Sequence, residues 1–111
     1  MFIADELLKK RIDFNELCKV HNVRYIYAFG SSITDRFDIA KSDIDLLVEI
    51  DDPDPVERGD KLISLWDTFE NLFQRKVDLL TDTSIHNPYL RKNIDSTKIL
   101  IYDGTRQKVF V

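Results

Sequence analysis

Two segments with the composition of buried β-strands lie close together in this chain, and they constrain its fold most. Residues 24–29 and 43–50 are rich in aromatic and branched side chains, and Gly30 ends the first of them. The stretch between the two segments is too short for a full crossover helix. We therefore predict that the two strands are antiparallel neighbours in one sheet.

Helical and strand patterns alternate along the rest of the chain. The predicted elements, in order, are one bent helix or two short ones over 3–22, a strand over 24–29, a short helix over 32–37, a strand over 43–50, a helix over 56–74, a strand over 76–81, a short helix over 87–95 and a strand over 98–102. This order predicts a single α/β domain of the α+β type over residues 1–111. Its core is a small mixed sheet of about four strands with helices packed against it.

The composition limits the size and the setting of this domain. The chain has 111 residues, 43% of them hydrophobic, which is enough for one core but not two. With 20 acidic against 16 basic residues, the protein is not expected to hold a long nucleic acid on its own surface. The apolar runs are too short for a membrane-spanning helix, and the N-terminus lacks the pattern of a signal peptide. We therefore expect a cytoplasmic protein with no membrane contact.

Three aspartates are candidates for a single site. Because side chains alternate along a strand, Asp43 and Asp45 point to the same face at the entrance of the strand over 43–50. Asp78 is an acid inside the otherwise apolar strand over 76–81. If these two strands are neighbours, the three acids converge. Carboxylates packed that closely repel one another, so a bound cation is the expected reason for such a cluster.

The ligand type indicates which cation this would be. Oxygen ligands with no Cys or His beside them favour Mg²⁺ or Mn²⁺ over Zn²⁺. We assign structural roles to His21, at the end of a helix, and to His86, which precedes Asn87-Pro88. A magnesium ion commonly combines one or two carboxylates with the phosphates of a nucleotide. The acids therefore predict a metal–nucleotide site.

A glycine-serine turn is placed to bind the phosphates of that nucleotide. Gly30 allows a phosphate to approach the backbone closely, and the Ser31 hydroxyl can hydrogen-bond it. A helix starting near Ser32 would add unpaired backbone N–H groups. We predict that these three residues contact the nucleotide.

Taken together, Gly30-Ser31, Asp43-Ile44-Asp45 and Asp78 resemble the minimal nucleotidyltransferases of the DNA polymerase beta-like superfamily. The resemblance extends over nearly the whole order of elements. It implies that Gly30 and Ser31 hold the β- and γ-phosphates of ATP, and that Asp43 and Asp45 bind two Mg²⁺ ions. It also implies that Asp78 completes one metal site and helps to activate an acceptor hydroxyl.

The same resemblance implies a reaction and a partner. The expected reaction is transfer of a nucleoside monophosphate, AMP from ATP, to a hydroxyl group of another molecule. Relatives of this size are often antitoxins paired with a helical HEPN ribonuclease toxin that is modified on tyrosine. A nucleoside triphosphate and a HEPN-type toxin are therefore the expected partners, and an oligomer is compatible with the sequence.

One segment departs from the family pattern. Many relatives carry an Arg-Gly pair shortly after the Gly-Ser turn, whereas this chain has Ile33-Thr34-Asp35-Arg36-Phe37 and about one additional residue before Asp43. Arg36 or Lys41 is a candidate to replace the missing cationic contact. Either residue could equally be a solvated loop charge.

Two other functions stay open at this point. The altered loop over residues 33–41 is compatible with a binding module that neutralises its partner by contact and has little or no transferase activity. A purely structural α/β domain is the third possibility. These alternatives differ in whether Mg-ATP binds and whether AMP is transferred.

Overall fold

The computed structural model describes residues 1–110. Over that range the helices are α1 (Phe2–Val20), α2 (Pro55–Phe73) and α3 (Pro88–Thr97), and the strands are β1 (Val23–Phe29), β2 (Ile44–Ile50), β3 (Val77–Leu80), β4 (Ile99–Asp103) and β5 (Lys108–Val109). The strands form one sheet in the order β3-β2-β1-β4-β5. β1 is antiparallel to β2 and β4, whereas β2 and β3 are parallel. The predicted mixed sheet and the antiparallel β1–β2 pair are confirmed, and β3 lies beside β2.

The main core lies between one face of the sheet and the helices α1 and α2. Phe14 of α1 stacks on Phe69 of α2 with ring centroids 5.2 Å apart. Alternate strand residues such as Ile26 and Leu46 are fully buried in the same cluster. Each large apolar side chain buried in this way contributes about 1.5–3 kcal/mol. This core therefore fixes the position of β1 and β2 relative to the helices.

The opposite face of the sheet is covered by a smaller apolar cluster. Ile94 of α3 and Ile85 pack there against Phe29 and Leu47. Because side chains alternate along β2, Asp45 shares this face with Leu47. The acids therefore lie at the edge of the smaller cluster and outside the main core.

Helix α2 has clear start and stop signals. The Asp54 side chain accepts a hydrogen bond from Val56 N–H, and the helix ends where Gln74 adopts a left-handed conformation, with φ 53°. Among its apolar residues, Leu65, Phe69 and Phe73 are buried in the core, whereas Ile63 is 69% exposed. Ile63 lies two residues before the fully buried Leu65, a rotation of about 200° around the helix.

No helix within residues 1–110 is long and apolar enough to cross a membrane.

The short helix predicted over 32–37 is wrong. A single 3₁₀ turn covers Gly30–Ile33, and the chain then becomes extended at Thr34, with φ −121° and ψ 172°. The reason is that Ser32 does not cap a helix. Its side chain is buried and its hydroxyl oxygen accepts a hydrogen bond from Asp45 N–H at 3.1 Å, so the turn is anchored to β2 instead.

The sheet has one strand more than the sequence predicts. A turn follows Asp103, and the segment beyond it, for which no strand was predicted, returns as β5. In this strand Val109 pairs with Tyr102, and Lys108 pairs with Asp103. A strand of two residues is too short to carry an alternating pattern, so the sequence gives no signal for it.

Candidate functional site

Two of the three predicted acids meet across neighbouring parallel strands. Asp45 of β2 and Asp78 of β3 are register partners. Asp45 also lies opposite Phe29, the last residue of β1. Register partners in adjacent strands place their side chains on the same face of the sheet. The fold thus brings together Asp45, Asp78 and the end of β1.

The third acid, Asp43, lies just before β2. It is half-buried, and the Lys76 Nζ is 3.9 Å from its Oδ2. Within residues 1–110, no group of three or more His, Cys, Asp or Glu side chains is arranged to hold a metal ion. Asp43 is therefore near the other two acids, but the three carboxylates are not gathered into a complete ligand set.

The Asp45 carboxyl has a raised pKa. Burial, and after it the charges of Asp78 and Asp43, raise the pKa of the Asp45 carboxyl from 3.8 to about 6. A negative charge on this half-buried group is therefore costly in the absence of a cation. A carboxylate with a perturbed pKa beside other acids is typical of a functional site.

Gly30 is required at this site for a reason that the sequence did not reveal. Its backbone is left-handed, with φ 67°, and a Cβ at this position would lie 2.5 Å from Asp45 Oδ2. Any larger residue would therefore collide with the carboxylate. The glycine-serine turn therefore lies directly against Asp45, one of the three predicted acids.

The two serines of the turn have different environments. Ser31 is half-buried, and its carbonyl oxygen accepts hydrogen bonds from the backbone N–H and the hydroxyl of Thr34. Ser32 is fully buried and its hydroxyl is used by Asp45 N–H. Ser32 therefore holds the backbone of Asp45 in place, and its predicted contact with the nucleotide stays a prediction. The nucleotide-binding role of Gly30 and Ser31 stays a prediction.

The two candidate cations in the loop are both exposed. The side chains of Arg36 and Lys41 make no hydrogen bond or ion pair with residues 1–110. Nothing in the fold holds either of them against the acids. Their predicted contact with a phosphate therefore stays a prediction.

Arg75, which no sequence pattern singled out, contacts the backbone of the loop that precedes β2. Arg75 donates hydrogen bonds to the carbonyl oxygens of Ser42 and Ile39, each at 2.9 Å. Its only signal in the sequence is its place just before β3, three residues ahead of Asp78. Long-range contacts to backbone carbonyls leave no pattern in the sequence.

His21 has the structural role that was predicted for it. His21 places Nδ1 2.7 Å from Leu17 O and Nε2 2.9 Å from Ser64 Oγ, so both ring nitrogens have partners. His86 is exposed. Cys18 is fully buried, and burial raises the pKa of its thiol. None of the three takes part in the acid site.

Comparison with known proteins agrees with this geometry. The family model described as "Polymerase beta, Nucleotidyltransferase" matches residues 8–107, which include the turn and all three acids. The chain belongs to this nucleotidyltransferase family. A relative from Methanocaldococcus jannaschii, named "Putative protein adenylyltransferase", is 38% identical over 96 residues, which are 86% of this chain and 92% of that protein.

Solved structures of the nucleotidyltransferase family share the fold. One described as a "putative minimal nucleotidyltransferase" is 25% identical, with a TM-score of 0.59 over 85% of this chain and 92% of its own. Another contains a tri-AMPylated Shewanella oneidensis HEPN toxin in complex with an MNT antitoxin. The matching chain of that structure is 20% identical to this one, with a TM-score of 0.51 over 96% of this chain and 76% of its own length. The predicted resemblance to minimal nucleotidyltransferases is therefore confirmed.

Proposed function

We propose that this protein transfers AMP from ATP to a hydroxyl group of a partner protein. The observation that carries the proposal is the pairing of Asp45 with Asp78 directly against the Gly30 turn. Family membership makes nucleotidyl transfer the reaction class, and the M. jannaschii relative is named for adenylyl transfer to protein.

The donor chemistry of the site suits a divalent metal ion, although the three carboxylates are not gathered into a complete ligand set. The donors are carboxylates only, and burial, followed by the charges of Asp78 and Asp43, raises the pKa of Asp45 to about 6. Such a donor set suits Mg²⁺ or Mn²⁺, with Asp43, Asp45 and Asp78 as ligands. When bound, the metal would neutralise phosphate charge and orient the triphosphate.

The protein's own residues would bind and orient the reactants. Gly30 and Ser31 form the open turn against which the β- and γ-phosphates lie. The exposed carboxylate of Asp78 is free to accept the proton of the acceptor hydroxyl. The hydroxyl oxygen then forms a bond to the α-phosphorus, the bond to the β-phosphate oxygen breaks, and pyrophosphate leaves.

We take the acceptor to be a HEPN-type toxin, modified on tyrosine. The support is the similarity of fold to the MNT antitoxin found in complex with an AMPylated HEPN toxin. Both proteins would meet ATP and Mg²⁺ in the cytoplasm. In this proposal residues 1–111 act as one domain and the partner supplies the acceptor.

The transferase proposal is tested by replacing the paired acids. Asp43→Asn together with Asp45→Asn is expected to lower transfer of label from α-labelled ATP by at least about 1,000-fold, which is roughly 4 kcal/mol of transition-state stabilisation. The matched control is Asp60→Asn with Asp67→Asn, two exposed acids of α2, which removes the same charge away from the site. This control is expected to retain full transfer.

The result also separates the proposal from a binding module. A stable complex with the partner but no transfer by the unsubstituted protein would favour neutralisation by contact. The exposed positions of Arg36 and Lys41, with no partner among residues 1–110, are the feature that favours this second candidate. Transfer that continues in the Asp43, Asp45 double variant would contradict the assigned site.

Binding of Mg-ATP is expected to stabilise the fold. At 100 times its dissociation constant the ligand should raise the free energy of unfolding by roughly 2.7 kcal/mol. Thermal denaturation with and without Mg-ATP measures this effect, and ATP with a chelator is the control. An unchanged melting temperature would be the result expected of a purely structural domain.

A further inference from the structure

We infer that Arg75 is a positioning residue of the acid site. It holds residues 37–42 so that Asp43 can join Asp45 and Asp78. The inference rests on the proposed function, because it concerns the same metal site. It is carried by contacts that tie the loop to the start of β3 and to α1.

The first set of contacts is made by the two ends of the guanidinium group. Arg75 Nη1 donates to Ser42 O and Nη2 donates to Ile39 O, each at 2.9 Å. The planar fork of an arginine can hold two carbonyl oxygens in a fixed relation, which a lysine ammonium cannot. Arg75 therefore fixes both the middle and the end of the loop.

A second set of contacts ties the same loop to helix α1. The Phe37 ring stacks on the Phe2 ring with centroids 4.0 Å apart and an interplanar angle of 8°. The guanidinium carbon of Arg75 lies 5.0 Å from the centroid of Phe2 and 4.9 Å from that of Phe37. The guanidinium therefore lies beside the stacked pair, and its attraction to the aromatic rings helps to hold the arginine in place.

Asp43 is bracketed by backbone contacts of its two neighbours. On one side Ser42 O is held by Arg75, and on the other Ile44 N–H donates to Lys76 O at 3.1 Å. Without the first of these bonds, Ser42 would keep hydrogen bonds only to Asp38 of the same loop, and the Ser42 side of Asp43 would lose its tie to the start of β3. A misplacement of about 1 Å at a catalytic group can lower the rate about 100-fold. Arg75 thus acts on the site through the backbone beside Asp43, and touches no reactant.

The test compares Arg75→Lys and Arg75→Gln with a matched variant, Arg58→Lys. Arg58 also donates from Nη1 to a backbone carbonyl, that of Asp52, at 2.9 Å, but at the opposite end of β2. The first readout needs no metal: hydrogen exchange of the Lys41 and Ser42 amides, which both donate to Asp38 O. Exchange at these amides is expected to become faster in both Arg75 variants and to stay unchanged in Arg58→Lys.

The second readout is Mn²⁺ binding in the presence of an ATP analogue with a methylene group between its α- and β-phosphates, which cannot donate AMP. The Mn²⁺ dissociation constant, measured by electron paramagnetic resonance, is expected to rise about tenfold in Arg75→Lys, or 1.4 kcal/mol. In an Asp43→Asn background the same Arg75→Lys change is expected to have no further effect, because its action passes through Asp43. A residue with a purely structural role would give equal changes in both backgrounds.

The outcomes separate this inference from the proposed function. If the unsubstituted protein binds no Mn²⁺ with the analogue, the proposed function fails and this inference fails with it. If it binds Mn²⁺ and Arg75→Lys binds it equally well, only the role of Arg75 is overturned. Arg75→Lys keeps the charge and the long stem, so it tests the fork even where Arg75→Gln does not fold.

Discussion

Replacing Asp45 by asparagine is expected to abolish AMP transfer and, at the same time, to stabilise the metal-free protein at neutral pH. The carboxylate lies between Asp78, Asp43 and the Gly30 turn, and its pKa is raised to about 6. A neutral amide of the same shape removes the repulsion along with the metal ligand. Because Asp45 is half-buried and partly screened by water, we expect a gain of about 1 kcal/mol in the free energy of unfolding.

The pH dependence of this gain follows from the direction of the pKa change. The folded protein holds the Asp45 proton more tightly than the unfolded chain, so protonation favours the folded state. The stabilisation due to that proton is complete below the ordinary pKa of 3.8 and is lost as the pH rises through about 6. Asparagine has no such loss. The advantage of Asp45→Asn is therefore expected to be absent near pH 4 and complete above about pH 6.

Urea denaturation with a chelator, measured from pH 4 to pH 8, tests this expectation. Asp78→Asn is the matched control, because Asp78 is exposed and no comparable burial acts on it. Its effect on stability is expected to be smaller, although it should also impair transfer. A constant difference between Asp45→Asn and the unsubstituted protein across this range would contradict the assigned electrostatics.

Substitution of Gly30 by alanine is expected to damage both the site and the fold. The new Cβ would lie 2.5 Å from Asp45 Oδ2, and the left-handed backbone, with φ 67°, disfavours any residue with a side chain. The carboxylate or the turn must move, so we expect transfer to fall at least about 100-fold. The free energy of unfolding is expected to fall by about 1–3 kcal/mol.

Gly59→Ala is the control for this substitution. Gly59 lies inside α2, and apart from its chain neighbours and the adjoining helix backbone no atom of the described residues would lie within 4 Å of a Cβ at this position. Alanine is expected to stabilise the helix by about 1 kcal/mol and to leave transfer unchanged. Adding Asp45→Ala to Gly30→Ala should recover part of the lost stability but none of the activity. Full transfer by Gly30→Ala would show that the turn and the acids do not work together.

The sequence was informative where side chains follow a strand or helix period. Alternation along 43–50 predicted β2 and the common face of Asp43 and Asp45, and the isolated acid in the strand over 76–81 pointed to Asp78. In the structure β3 lies beside β2, and the register of the two strands places Asp45 next to Asp78. The short stretch of chain between the first two strands was enough to predict their antiparallel pairing.

The parts that were missed depend on contacts between distant segments. Ser32 looked like a helix cap, but a hydrogen bond from Asp45 N–H turns it into a buried anchor and shortens the helix to a 3₁₀ turn. No sequence pattern pointed to Arg75, although its bonds to Ile39 O and Ser42 O organise the loop. Such contacts form when distant segments meet in the fold. A single hydrogen bond to the backbone imposes no periodic pattern on the sequence, so no pattern could predict it.

The proposed reaction moves AMP from ATP to a hydroxyl group of a partner protein. It is tested by the intact mass of the protein that co-purifies with this chain, measured before and after incubation with ATP and Mg²⁺. The partner is expected to gain the mass of one or more AMP groups on a hydroxyl side chain, with one pyrophosphate released for each group. A partner that stays unmodified in a stable complex with the active-site residues intact would contradict it.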